Sequence, residues 1–289
     1  MWVALVSDKA LVLRRYPWGE SSLIVHVLTP GHGRVHLTAR GVFRPTARYF
    51  AALDLFDTLE IEYSMGPQQE LGNLRRATIG RRRARVCAKL PVYRTGLAAL
   101  ELADIAARPG QDEGRLFRLT EAALERLETN QVSCTESRVS FELQYLRALG
   151  LAPALLHCAA CGGQAPALPE DPPRVIFSAG AGGRLCAPCG AGARAASHRV
   201  GTLPEDVLLA AAQVDAGRER SADNKPNRGG DAGSSQPLTE ELLDRVRDFL
   251  ERFIDFHLET RPRSHESFLA APNRNTRAAR QPRPHGAGL

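Results

Sequence analysis

The stretch Ser21-Ser-Leu-Ile-Val-His-Val-Leu-Thr-Pro-Gly-His-Gly-Arg-Val-His-Leu-Thr-Ala-Arg40 decides the first part of the fold. Residues 21–29 and 34–40 are two apolar-rich runs with an alternating pattern, which is typical of β-strands. The four residues between them, Pro30-Gly31-His32-Gly33, form a turn sequence. Because alternate side chains of a strand point to opposite faces, we expect Arg34, His36 and Arg40 to share one face.

Three more short strands are predicted around this hairpin. Lys9–Tyr16 precedes it, and Leu55–Tyr63 and Glu70–Ile79 follow it. Five short strands separated by frequent turns are typical of a small barrel, and the OB-fold is the natural candidate because it presents a face to single strands. The predicted fold class is therefore α+β, with a five-stranded OB-fold barrel over residues 1–82 followed by an α-helical domain that carries a four-cysteine zinc site.

Positive charge is concentrated in this first part of the chain. The net charge is +6, and residues 1–85 hold 13 Lys and Arg against 7 Asp and Glu, whereas the remainder is balanced. A localised basic surface points to a polyanionic partner, with nucleic acid first. Nearly all of the cationic residues are arginines, which suit bidentate phosphate contacts and stacking on bases.

The candidate DNA-binding residues form one cluster with two extensions. The cluster has arginines interleaved with aromatic rings, so that guanidinium groups can neutralise phosphates while rings stack on unpaired bases. The alternative is that the arginines form a solvated face and the aromatic rings fill the core. The cluster consists of Arg34, Arg40, Arg44, Arg48 and Tyr49, and the extensions are Arg14 with Arg15 and Arg81, Arg82 and Arg83.

From residue 83 to residue 260 the pattern becomes helical. Residues 92–108, 114–127, 135–149, 204–216 and 239–257 carry apolar residues at helical spacing. A polar, glycine-rich stretch at 217–237 is expected to be a mobile loop, and residues 261–289 a basic, disordered tail. The apolar stripe of the last helix is expected to be core, with a peptide-binding groove as the alternative.

Two Cys-x-x-Cys pairs interrupt the helical region, in a zinc-finger insertion predicted at about 155–195. Two such pairs bring four thiolates around one Zn²⁺ ion at roughly 2.3 Å, and four thiolates leave no open position, so one structural zinc is predicted. Disulfides or unligated thiols are the alternatives, but no secretory signal is seen and a reducing interior favours metal. The ligands are Cys158, Cys161, Cys186 and Cys189, while the isolated Cys87 and Cys134 are expected to be buried free thiols.

Several function classes are disfavoured by the sequence. There is no catalytic triad, no phosphate-cradling Gly-Lys-Ser/Thr loop and no carboxylate pair placed for acid–base work, so we expect no enzyme. A zinc hydrolase is disfavoured by the closed ligand set. No apolar run approaches the roughly 18 residues that cross a bilayer, so no membrane association and a cytoplasmic location are expected.

The order of several short motifs resembles the RecO family of bacterial recombination mediators, nearly end to end. The motifs are Ala10-Leu-Val-Leu13 to Tyr16, Glu20-Ser-Ser-Leu23, Thr29-Pro-Gly31, Gly33, Ala39-Arg-Gly41 with Arg44 and Arg48, Leu53-Asp-Leu-Phe56, and Leu149-Gly-Leu151 to Pro153 running into Cys158. The 217–236 loop and the tail are longer and more basic than the family minimum.

This resemblance implies a function and partners. It implies binding to single- and double-stranded DNA, annealing of complementary strands, and loading of RecA with RecR onto strands coated by single-strand-binding protein, in the bacterial cytoplasm and at the nucleoid. The C-terminal tail of single-strand-binding protein is a further expected partner, for which the last helix is the candidate site. The alternative function is a zinc-stabilised scaffold for protein partners, with DNA contact secondary.

Overall fold

A computed structural model gives the structure of residues 4–43, 52–66, 69–130, 132–222, 237–258 and 261–265, with the backbone alone for residues 218–222. Five strands form a closed barrel in the order β1-β2-β3-β5-β4, with β4 returning to β1. The pair β3–β5 is parallel and the other pairs are antiparallel. The strands are β1 (Ala4–Trp18), β2 (Ser22–Thr29), β3 (Gly33–Ala39), β4 (Thr58–Met65) and β5 (Leu71–Arg81). The predicted barrel is confirmed.

Alternation of side chains builds the barrel interior. In β3, Val35 and Leu37 are buried while Arg34 and His36 on the other face are partly exposed. The interior side chains form one apolar cluster, which includes Val25, Leu37 and Ile61. Arg34 and His36 therefore share the outer face, as expected, whereas Arg40 lies just beyond the end of β3.

Six helices are described after the barrel. They are α1 (Leu90–Ala106), α2 (Gly114–Thr129), α3 (Cys134–Ala148), α4 (Ala187–Ala195), α5 (Glu205–Ala222) and α6 (Glu240–His257). Ser133 caps α3 and Thr239 caps α6, since each side-chain oxygen accepts a hydrogen bond from a backbone N–H three residues on. The boundary of α5 differs from the expectation, because the helix extends to Ala222 and overlaps the loop predicted at 217–237.

The turn between β2 and β3 fastens the barrel to the helices. The backbone N–H of Gly110 donates to His32, and that of Glu113 donates to Pro30. Gly33 has φ of +64°, and a Cβ there would lie 2.0 Å from the Arg108 carbonyl oxygen. Only glycine fits both the left-handed backbone and this close approach.

The segment between α3 and α5 is a small metal module. It contains an antiparallel sheet of order β7-β6-β8, made of β6 (Arg174–Ser178), β7 (Gly183–Leu185) and β8 (Gly201–Pro204). The β6–β7 hairpin lies between the two cysteine pairs, within the insertion predicted at about 155–195. Phe177 of β6 packs edge-on against Phe249 of α6, with ring centroids 5.3 Å apart, so the module shares the helical core.

The first residues of the predicted tail are ordered against the helices. Residues 261–265 include a 3-10 turn, Arg263–His265, whose backbone N–H groups at Arg263 and Ser264 donate to the carboxylate of Glu101. His265 is buried and contacts Asp255. The remainder of the tail, from residue 266, lies outside the described residues. None of the described helices combines the length and apolar character needed to cross a membrane.

Candidate metal centre and nucleic-acid interface

The four predicted ligands come together in the metal module. Their sulfur atoms all lie within 4.8 Å of one another, and the sulfurs of Cys161 and Cys186 are 3.9 Å apart. Four sulfurs at about 2.3 Å from a central ion would be separated by about 3.8 Å, so the arrangement fits a tetrahedral metal ion. The first pair lies on a knuckle that precedes the small sheet, and the second pair begins α4.

Backbone groups prepare one of these thiols for metal binding. Burial opposes ionisation of Cys158, but backbone N–H groups of Cys186, Cys161 and Ala160 lie close to its sulfur and lower its pKa to about 6. A thiolate is the form that binds metal. The expectation for the isolated cysteines was partly wrong, because Cys87 is exposed and Cys134 is only partly buried.

Arg14 and Arg34 lie close together beside one carboxylate of α1. Both form ion pairs with Asp104, and Arg34 also donates to the Asp104 carbonyl oxygen at 2.8 Å. The side chains of Arg14 and Arg34 are 36% and 30% exposed. Two cations against one buried carboxylate leave this part of the barrel surface positively charged.

Two other candidates lie towards the ends of strands. Arg15 is bound to Asp54 at 2.9 Å and to the Leu53 carbonyl oxygen. Arg40 directly follows β3 and is exposed. Arg44, Arg48 and Tyr49 of the predicted cluster lie outside the described residues.

The three consecutive arginines at the end of β5 have different environments. Arg81 is about half exposed and forms a bidentate contact with Glu125. Arg82 is 61% exposed and lies 3.8 Å from Asp57. Arg83 is 1% exposed and donates to the carbonyl oxygen of Phe56, so its guanidinium lies inside the protein and not on a DNA-facing surface.

One feature of the barrel face was not identified from the sequence. Tyr16, His26 and His36 form a row of rings across three strands, which we call the ring row. The available signal was the hairpin register, but the four-residue turn expected at 30–33 would place Leu37 opposite His26. In the structure Thr29 is paired with Gly33, and this register places His36 opposite His26. To predict the ring row from this signal, the register of β1 against β2 would also have to be known, and the sequence does not specify that register.

The apolar stripe of α6 is core, as expected, and not the peptide-binding groove that was its alternative. Seven of its apolar side chains are buried in the helical core. A different cavity, of about 270 Å³, lies where β1, α1, α3 and the 261–265 segment meet, and we call it the arginine pocket. Its lining has three leucines and four arginines, and comprises Leu13, Arg14, Arg94, Leu97, Leu100, Glu101, Arg138, Arg263 and Ser264.

Comparison with known proteins places this architecture in one family. Residues 3–82 match the family model described as Recombination protein O N terminal, and residues 92–213 match Recombination protein O C terminal. The chain is 34% identical over 251 residues to the DNA repair protein RecO of Anaeromyxobacter sp. (strain K), which covers 87% of this chain and 91% of that protein. It is 31% identical over 259 residues to the DNA repair protein RecO of Myxococcus xanthus, which covers 89% and 94%. The chain therefore belongs to the RecO family of DNA repair proteins.

Proposed function

We propose that this RecO chain binds single- and double-stranded DNA through the barrel, anneals complementary strands, and acts with RecR to load RecA onto strands coated by single-strand-binding protein. The observation that carries the proposal is that residues 1–85, which include the five strands of the closed barrel, contain the chain's whole excess of positive charge, six units, in a family of DNA repair proteins. Annealing requires no bond chemistry. It requires cations that screen two phosphate backbones while the bases pair.

The four-cysteine site is proposed to hold one Zn²⁺ ion with a structural role. Four sulfurs in a tetrahedral arrangement form the closed ligand set of structural zinc, and the ion would hold the knuckle against α4. Because four thiolates would enclose the ion, a binding partner would contact residues of the metal module and not the ion itself.

The DNA-binding proposal predicts a change in salt dependence. Replacement of Arg40, Arg44 and Arg48 together by Ala should weaken binding of an oligothymidylate and lower the log–log salt slope by about 2, since each phosphate contact on a single strand contributes about 0.7. Binding is measured by fluorescence anisotropy at several salt concentrations. Arg34 is left unchanged because its contacts with Asp104 join the barrel to α1.

A triple variant with the same loss of charge serves as its control. Arg194, Arg245 and Arg252 lie on α4 and α6, and their replacement by Ala should leave the slope unchanged. An equal fall of the slope in both triple variants would show that Arg40, Arg44 and Arg48 are not the contact surface. Wild-type protein that speeds the pairing of complementary oligonucleotides only when partners are present would favour the scaffold function.

We place the docking of the single-strand-binding protein's tail in the arginine pocket. An acidic peptide with apolar side chains suits three leucines surrounded by four arginines, and both kinds of side chain line one cavity. This assignment replaces the α6 groove, whose side chains are occupied by the core.

The pocket assignment predicts a specific loss of peptide binding. Leu97→Glu introduces a negative charge into the apolar lining and should weaken binding of a synthetic tail peptide by at least about tenfold, because like charges repel in a partly desolvated site. Leu209→Glu, at a 43% exposed position on α5, is the matched control and should bind normally. Titration calorimetry measures both, and unaltered affinity in Leu97→Glu excludes the pocket.

A further inference from the structure

The ring row is a continuous arrangement across the outer face of β1, β2 and β3. Arg14 is paired in register with His26, and His26 with His36, so the three side chains lie on one face. The two imidazole rings are stacked, with centroids 3.9 Å apart and planes inclined by 20°. Tyr16 lies diagonally beside His26 at 5.1 Å, and it is 41% exposed.

Two arginines and two carboxylates face the ring row. Arg14 from β1 and Arg34 from β3 flank it, and Asp104 from α1 pairs with both. Glu70, just before β5, also acts on His36. The Nε atom of Arg34 is buried and makes no hydrogen bond within the described residues, so one donor beside the row is unsatisfied.

Protonation of the two histidines is opposed in the free protein. Burial and the neighbouring His36 lower the pKa of His26, and burial and Arg34 lower the pKa of His36, both from an ordinary value of 6.5. Folding therefore favours the neutral rings, and their contribution to stability is present above pH 6.5 and is lost as the pH falls below it. An anion placed on the rings would reverse this preference, since an opposite charge within about 4–6 Å raises a histidine pKa by about 1–3 units.

The other side of the barrel is less suited to an anion. Along the first half of β1 and along β4, Asp8, Glu60 and Glu62 stand near Lys9 and Arg76. Carboxylates outnumber cations there, whereas the two arginines around the ring row equal the two carboxylates in number. A polyanion is therefore repelled less by the β1–β2–β3 face than by the opposite side of the barrel.

We propose that the ring row binds an unpaired stretch of nucleic acid, with a base stacked on Tyr16 and a backbone phosphate on the His26–His36 pair, and that binding is coupled to uptake of a proton. This inference rests on the proposed DNA-binding function and assigns residues and a proton linkage to it. A phosphodiester oxygen accepts hydrogen bonds from the protonated imidazole and from Arg34, and the exposed ring of Tyr16 offers a face to a base. In duplex DNA the bases are stacked on one another and offer no free face to Tyr16, so a duplex contacts only the cationic groups.

Binding of an oligothymidylate at constant ionic strength tests the proposal. If bound phosphate raises the lowered pKa of one of these histidines by one unit or more, the wild-type protein should bind several-fold more tightly at pH 6 than at pH 8. The double variant His26→Gln, His36→Gln should lose this pH dependence. Tyr16→Leu should weaken single-strand binding about fivefold or more and leave duplex binding unchanged, because base stacking on an aromatic ring contributes about 1–3 kcal/mol per base.

His32→Gln is the matched control. His32 lies in the turn between β2 and β3, is 48% exposed and contacts Asp8 outside the ring row, so this variant should keep the wild-type pH dependence. Imidazole NMR of the wild-type protein gives a second measurement, in which the pKa values of His26 and His36 should rise when the oligonucleotide is added. Normal DNA binding with no pH dependence and unmoved imidazole pKa values would overturn the ring-row assignment alone. Absence of DNA binding at every pH would overturn the proposed function itself.

Discussion

Arg83→Met should lower the free energy of unfolding by about 3–5 kcal/mol, because removal of one partner from a buried charged network leaves the others unsatisfied. Arg83 donates to the carbonyl oxygen of Phe56 at 2.8 Å, to the hydroxyl of Thr58 at 3.0 Å and to Glu125 at 3.1 Å. Phe56 is fully buried and has φ of +76°, an unfavourable backbone for a large side chain. Arg83 thus holds a strained link of the barrel and ties the barrel to α2.

Arg81→Met is the matched control for this substitution. Arg81 contacts the same Glu125, but its side chain is 54% exposed, and exposed ion pairs contribute about 0–1 kcal/mol. Urea unfolding followed by circular dichroism measures both variants. If the two variants lose similar amounts of stability, the buried arginine does not organise this junction.

Removal of the metal should unfold the module and spare the barrel. The buried apolar cluster around the four cysteines contains only Cys158, Ala165, Ile176 and Leu185, which is too small to hold the segment without the ion. Structural zinc contributes an apparent free energy of about 10–16 kcal/mol in small domains. Cys161→Ser, or treatment with a chelator, should therefore open the chain around residues 154–200, while the barrel keeps its contacts with α1 and α2.

Trypsin cleavage after Arg184 reports this opening. Arg184 is 4% exposed and donates to the Ala165 carbonyl oxygen at 2.6 Å and to Glu205 at 2.7 Å, so the intact module protects it. Cys87→Ser changes an exposed cysteine outside the cluster and should retain one zinc per chain and full protection. Protection of Arg184 in metal-free protein, or a wild-type zinc content far below one per chain, would contradict the structural role.

The elements with a clear period or spacing were predictable from sequence. In β2 and β3 apolar and polar residues alternate regularly enough to predict which side chains face the barrel interior. Thr239 marked the start of α6. The two Cys-x-x-Cys pairs converge as expected, because each pair places two sulfurs on one turn. The length of α5 was underestimated. The low hydrophobicity of residues 217–222 suggested that the helix had ended, but these residues continue it.

The roles of individual arginines were not predictable in the same way. Arg81, Arg82 and Arg83 are adjacent and chemically identical, yet the first is half exposed, the second lies near Asp57 and the third is buried. The difference arises because the chain leaves the barrel at Arg81 and turns into the 3-10 helix Ala84–Cys87, which directs Arg83 beneath α2. Glu121 and Glu125, the carboxylates that meet it, are about forty residues away in sequence.

By itself the sequence determined the five strands, the four cysteines that converge, the basic character of the first 85 residues and the family to which these features point. These properties depend on the hydrophobic periodicity, the residue spacing and the composition, each of which can be read from a short segment of the sequence. Only the tertiary structure decided which of the arginines are internal, and that Tyr16, His26 and His36 lie side by side. Those outcomes depend on contacts between distant segments, because the exposure and the charge of a side chain are set by the neighbours that folding brings to it.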